Sequence, residues 1–216
     1  MDALPLGKRL KRRLHRSIAL AQDVLVMEMY DSIPRAVIHG GTAIWRCYGS
    51  NRFSEDVDFY LPLKMRGENF EKLLEGLRGK GFTVEKFKVT ESSVFSGLSY
   101  LGATVRFEAV FKNVKNFTTK DFELVDGNLI LVNTLNPEDM IKEKILAYAN
   151  RRKVRDLYDI FFLLKMARKD KVEGEALKLV AEFKKPVDEK ELKAIIISGS
   201  IPSADHMMEV VRRWAG

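Results

Sequence analysis

The stretch His39-Gly40-Gly41-Thr42-Ala43-Ile44, continued at Arg52-Phe53-Ser54-Glu55-Asp56-Val57-Asp58-Phe59, decides how this chain folds. Val57 to Leu61 has the composition of a strand. Residues two apart on a strand share a face, so Asp56 and Asp58 project together while Val57 and Phe59 pack behind them. Two carboxylates so placed repel each other, an arrangement that becomes favourable when a cation lies between them. Hard oxygen donors suit Mg²⁺, with Mn²⁺ as the alternative. Upstream, Gly40 and Gly41 have no Cβ and let backbone N–H groups come close to a phosphate, and a helix opening at Thr42 adds its N-terminal donors. Gly49-Ser50 competes for the same role. Taken alone, an Asp-x-Asp pair is commonly a solvated strand edge and Gly-Gly commonly a turn. Their order, strand, Gly-Gly, short helix, strand with two acids, is far more specific.

Outward from this stretch, Ala36 to His39 reads as a short strand and Ala43 to Tyr48 as a short helix. Leu6 to Tyr30 reads as one long helix, with Leu10, Leu14, Ile18, Ala21 and Leu25 at helical spacing. Phe70 to Leu77 fits an amphipathic helix, and Thr83 to Val89 a half-buried strand. Thr104 to Phe111 alternates, placing Val105, Phe107, Ala109 and Phe111 on one face and Arg106, Glu108 and Val110 on the other. Glu108 is therefore the candidate third acid of a two-metal site, against the plainer possibility of an exposed strand glutamate. Asp121 and Asp126 fall near turns. Phe122 to Val125 and Leu129 to Val132 flank the hairpin signal Asp126-Gly127-Asn128. Asn136-Pro137-Glu138 then opens a helix, with Asn as cap and Pro at the first position, and helical periodicity continues to the C-terminus. The expected fold class is α/β (α+β): a mixed sheet flanked by helices over residues 1–135, then a helical subdomain over 136–216.

A second informative segment runs from Lys142 to Asp159. Lys144, Tyr148 and Arg151 line one helix face, and Arg155 and Asp159 are spaced to pair on the next helix. A charged surface helix pair would look the same.

Composition sets the outer limits. With 216 residues and 46% hydrophobic content the chain can bury a sizeable core. One cysteine, Cys47, excludes an internal disulfide, and three histidines at 15, 39 and 206 have no zinc spacing. No stretch approaches the roughly 20 apolar residues of a membrane span and no secretory signal is visible, so a cytoplasmic protein with no membrane partner is expected. Charged residues at 31% with a single glutamine resemble heat-adapted proteins and hint at a thermophile. The net charge of +7 points towards polyanions. It concentrates in Lys8, Arg9, Lys11, Arg12, Arg13 and Arg16, and again in Arg151, Arg152, Lys153 and Arg155, which are either phosphate contacts or solvated helix faces.

The order of glycine pair and acidic pair resembles the nucleotidyltransferase superfamily that includes DNA polymerase β. More closely, G-G-T-A, then R-x-S-E-D-x-D, then K-I-L-A-x-x-x-R-R-K-x-R-D-L-Y-D resembles the AbiEii/AbiGii-type toxin nucleotidyltransferases over roughly residues 36 to 165. The resemblance implies transfer of a nucleoside monophosphate from an NTP to an acceptor hydroxyl. Asp56 and Asp58 would bind Mg²⁺, Glu108 would complete the site nearest the acceptor, and Gly40, Gly41, Thr42 and Ser54 would hold the nucleotide. Arg52 and Lys144 would neutralise phosphate charge. Asp156 would make a further polar contact, with Arg155 either positioning it or only fixing the helix pair. RNA, particularly tRNA, is the expected acceptor, and an antitoxin protein an implied partner. Two alternatives remain: transfer of a nucleotidyl or phosphoryl group to a small molecule or protein, and a non-catalytic nucleotide- or RNA-binding module.

Overall fold

The computed structural model describes residues 4–216. By its internal contacts the chain forms two compact units: one comprising the chain through Gly49 with Phe53–Leu135, the other Ser50–Arg52 with Asn136–Gly216. The short segment Ser50–Arg52 belongs to the second unit because Arg52 pairs with Asp159 and its backbone bridges to Ile196.

The first unit opens with α1 (Leu6–Arg9) and α2 (Arg13–Ser32). The single helix expected from Leu6 to Tyr30 is thus broken at Leu10–Arg12. Gly7 donates its amide to the Val125 carbonyl at 2.8 Å, and Arg9 pairs with Glu123. Those contacts pin α1, and Leu10 turns extended to bury itself, while Leu14 is left exposed. Next come β1 (Val37–His39), α3 (Gly40–Tyr48), β2 (Val57–Leu61), α4 (Glu71–Gly79), β3 (Thr83–Val89), β4 (Ser93–Tyr100), β5 (Ala103–Phe111), β6 (Thr118–Glu123) and β7 (Leu129–Thr134). Strand β4 has no counterpart in the sequence expectations, and β6 begins four residues earlier than the Phe122 expected. Its Thr119, Lys120 and Asp121 are exposed at a sheet edge, where hydrophobic alternation gives no signal.

The seven strands form one sheet in the order β3-β4-β5-β2-β1-β7-β6. Pairs β2–β5 and β1–β7 run parallel and the others antiparallel. Val57, Phe59 and Leu61 of β2 and Val105, Phe107, Ala109 and Phe111 of β5 form the buried side of this sheet, together with Ile38 and Val94. Their alternation explains why the opposite face is left for charged groups.

The second unit is helical: α5 (Pro137–Arg151), α6 (Val154–Leu163), α7 (Lys169–Ala181), α8 (Leu192–Ile195) and α9 (Ala204–Ala215). Asn136 caps α5 by accepting from the Asp139 amide at 2.9 Å, and Ser203 caps α9 in the same way. Among the described residues no helix is long and apolar enough to cross a membrane.

Candidate active site

The strand register brings the predicted acids together. Asp58 on β2 lies opposite Glu108 on β5 and opposite His39 on β1. Asp56, one step before β2, lies beside Arg106, whose Nε donates to Asp56 Oδ1 at 3.0 Å. Asp56, Asp58 and Glu108 thus share the open face of the sheet, with Glu108 solvent-exposed and the two aspartates half-buried. Burial, then the neighbouring Asp58 and Asp56, push the Glu108 carboxyl above its ordinary range, and Arg106 only partly offsets this.

Helix α3 starts at Gly40, two residues before the expected Thr42. Gly40 has φ +70°, and a Cβ there would run into the Asp58 carboxylate. Only glycine satisfies both conditions, so this residue lets the helix N-terminus and the acid touch. The His39 side chain does not cap α3 but stacks on Tyr60, with ring centroids 3.9 Å apart. The start of α3 at Gly40 therefore stands against Asp58, and the first-turn amides of this helix are candidate anion donors. Thr42 itself is fully buried, and its hydroxyl donates to the Asp56 carbonyl at 2.5 Å. That hydroxyl is therefore a clamp on the acidic segment rather than a phosphate ligand.

Two positioning features carried no sequence signal strong enough to single them out. Gln22, fully buried on α2, donates to the carbonyls of Ser54 and Glu55, each at 2.9 Å, and so fixes the chain entering Asp56. Arg46 donates at long range to Gln22 and pairs with buried Asp23. Burial pushes the Asp23 carboxyl up and the Arg46 guanidinium down despite their pairing. The pair ties α3 to α2, and Asp23 also accepts from the Val125 amide at 2.8 Å. A lone glutamine at a core position of an otherwise apolar helix face was the available clue. Strand alternation places Arg106 on the open face, and its contact with Asp56 is set by the packing of β5 beside β2.

The second unit gathers the other expected site residues into one buried ion network. The Arg52 guanidinium makes two bonds to Asp159, at 2.7 and 2.9 Å, and the Lys144 Nζ lies 2.8 Å from Asp159 and 3.6 Å from Asp156. Asp156 accepts two bonds from Arg151, both at 2.8 Å. Arg155 is exposed, so the expectation that it positions Asp156 or pairs with Asp159 is corrected: Arg151 and Arg52 take those places. Asp156 is fully buried and Arg52 nearly so, which fits structural partners.

The fit of the open-face acids to a divalent cation rests on their chemistry: three oxygen-donor side chains on one face, Asp58 and Glu108 in register and Asp56 one step before β2. Among the described residues no acid, histidine or cysteine group is drawn into a formed ion cage. Asp56 pairs with the Arg106 guanidinium at 3.0 Å.

The family model of the nucleotidyl transferase AbiEii toxin, a type IV toxin–antitoxin system, matches residues 29–209. This chain belongs to that family. It is accordingly a nucleotidyltransferase of the toxin–antitoxin class, as the ordered glycine and acidic motifs implied. Among solved structures, JHP933 from Helicobacter pylori is similar with a TM-score of 0.65 and 19% identity, over 94% of this chain and 91% of that one. MenT4, a nucleotidyltransferase toxin from Mycobacterium tuberculosis, is similar with a TM-score of 0.58 and 18% identity, over 93% and 87%. At these identities the likeness establishes the shared α/β fold. No curated protein sequence matches the AbiEii-family chain.

Proposed function

We propose that this chain transfers a nucleoside monophosphate from an NTP to a hydroxyl of an RNA acceptor, in the tRNA class, and releases pyrophosphate. The observation that carries the reading is the row formed by Asp58 and Glu108 in register, with Asp56 beside it and Gly40 in contact with Asp58. The acceptor oxygen bonds to the α-phosphorus as the bond from that phosphorus to the α,β-bridging oxygen breaks. Pyrophosphate departs with the electron pair, and the hydroxyl proton passes to the Glu108 carboxylate. The α3 amides of Gly40, Gly41 and Thr42 hold triphosphate oxygens, with Ser54 nearby in the chain. Thr42 and Gln22 keep Asp56 in place. Mg²⁺, held by Asp56, Asp58 and Glu108, would neutralise phosphate charge and activate the hydroxyl. A cognate antitoxin, suggested by the family's type IV toxin–antitoxin description, and a cytoplasmic location are part of the same proposal.

Incubating the purified chain with each α-labelled NTP, Mg²⁺ and total RNA tests the reading. Label in RNA, dependent on Mg²⁺, is expected. Label confined to small molecules or protein would replace RNA with the other acceptor classes.

Glu108→Gln is expected to lower the rate about 10²- to 10³-fold, as for loss of one preorganised electrostatic group, and to shift the Mg²⁺ titration to higher concentration. An unchanged rate and titration would return Glu108 to an ordinary exposed strand residue.

Salt dependence supplies a further check. Lys11, Arg12 and Arg13 are exposed, and Arg9, Arg151 and Lys153 pair with Glu123, Asp156 and Asp188. Reversing charge at 11, 12 and 13 is expected to weaken RNA binding without altering NTP binding. It should also flatten the plot of log affinity against log salt by about 0.7–0.9 for each phosphate that is no longer neutralised. Coincident curves for wild type and variant would remove this basic segment from the acceptor surface.

A further inference from the structure

The open face beyond Glu108 carries groups that nucleotidyl transfer itself does not use. Across three strands Lys88, Phe95 and Glu108 stand in register, and Asp58 continues the row. Two residues along, Lys86, Gly97 and Arg106 form a parallel row that ends at Asp56 through the Arg106 ion pair. Phe95 is 40% exposed although Val94, Ser96 and Leu98 on either side of it are buried.

A β-bulge makes this arrangement. Pairing shifts between Val84 and Lys86, so Val84 and Phe87 oppose Leu98 and Ser96 on the buried side, while Lys86 and Lys88 oppose Gly97 and Phe95 on the open side. Without the shift, Lys86 would follow Val84 to the core face. Among the described residues neither lysine has a carboxylate in an ion pair. Gly97 adds the remaining feature: a Cβ there would meet only the Lys86 Cβ, at an ordinary 3.7 Å. The fold does not need glycine at that place, and its missing side chain leaves a flat opening beside the Phe95 ring.

An exposed ring flanked by unpaired cations is the surface that single-stranded nucleic acid takes, bases stacking on the aromatic face while the cations follow the phosphates. Adjacent strands lie about 4.8 Å apart, so Phe95 is within one nucleotide of Glu108. We propose that this face seats the single-stranded end of the acceptor RNA: the nucleotide bearing the attacking hydroxyl stacks its base on Phe95, and Lys86 and Lys88 hold the phosphates behind it. The proposal rests on the RNA-acceptor reading above. It adds the place of the acceptor and a stacking mode tolerant of base identity.

The test is equilibrium binding of a fluorescein-labelled single-stranded RNA oligonucleotide to the full chain, without NTP, at several salt concentrations. Wild type, Phe95→Ala, Phe95→Trp and the double variant Lys86→Ala/Lys88→Ala are compared, with thermal melting and NTP binding measured for each. Phe95→Ala should weaken RNA binding about 10- to 100-fold, and Phe95→Trp should restore it. The double variant should reduce the salt slope by about 1.4, at about 0.7 per single-strand phosphate contact. NTP binding should not change. If wild type binds RNA and Phe95→Ala binds it equally, the platform is overturned and the RNA reading stands. Weakening in Phe95→Ala that Trp does not restore also overturns stacking. If wild type neither binds nor labels RNA, the acceptor reading fails and the platform with it.

Discussion

Asp58→Ala, and equally Asp56→Ala, is expected to abolish nucleotide transfer while the chain stays folded. The loss should exceed the roughly 10³-fold cost of removing one electrostatic donor, because each aspartate is placed to hold the cation as well as to border the phosphate cradle. Asp58 lies in register with Glu108 and against Gly40, so its removal separates the acid row from the helix N-terminus. Folding should survive, since the buried face of β2 is carried by Val57, Phe59 and Leu61. Without a divalent cation, melting should rise slightly as one repelling charge is gone. Glu108 supplies an internal check: Asp58 is the larger of the two charges that raise its carboxyl, after burial. In metal-free Asp58→Ala, an NMR titration should show Glu108 losing its proton at lower pH than in wild type. Near-normal turnover with Mg²⁺ in either variant would sink the assignment of the acids.

The acidic row was legible in the sequence because strand alternation is a local property. Asp56, Asp58 and Glu108 could be assigned faces from Val57, Phe59, Phe107 and Ala109 alone, and β2, β3 and β5 emerged with bounds that agree to within a residue. Local pattern does not reveal which strands neighbour one another. That β2 pairs with β5 in parallel, so that Asp58 meets Glu108, is a long-range fact of topology. Long-range fixing also explains the errors. The Leu6–Tyr30 periodicity was broken by Val125 and Glu123, more than a hundred residues away. Strand β4 hid because Ser93, Ser96, Gly97 and Ser99 dilute its alternation, although β4 carries the exposed Phe95. On the helical side, the spacing of Arg155 and Asp159 permitted a pair. Arg52, brought in from another part of the chain, took Asp159 instead.

That exchange has a thermodynamic consequence. Asp159→Ala is expected to destabilise the helical unit by about 3–5 kcal/mol, because removing one member of a buried ion network leaves its partners charged and uncompensated. Asp159 is fully buried; its carboxylate receives Arg52 at 2.7 and 2.9 Å and Lys144 at 2.8 Å. Arg52→Ala should cost less, since Lys144 stays to neutralise Asp159. Asp159→Ala removes the carboxylate that both cations bond, and Asp156 lies farther from Lys144, at 3.6 Å. Acid dependence gives an independent signature. Burial by itself would push the Asp159 carboxyl up, but Arg52 and Lys144 outweigh it and hold the carboxyl below the ordinary range. A depressed folded-state value stabilises the fold above the unfolded value and loses that contribution as pH falls through the folded one. The stability gap between wild type and Asp159→Ala should therefore be constant near neutrality and shrink only in strongly acid solution, below the ordinary aspartate value. Urea unfolding of wild type, Arg52→Ala and Asp159→Ala across that pH range measures both the order and the closing of the gap. If both variants unfolded within about 1 kcal/mol of wild type at neutral pH, the network would be no more than the surface ion pairing that typically contributes so little.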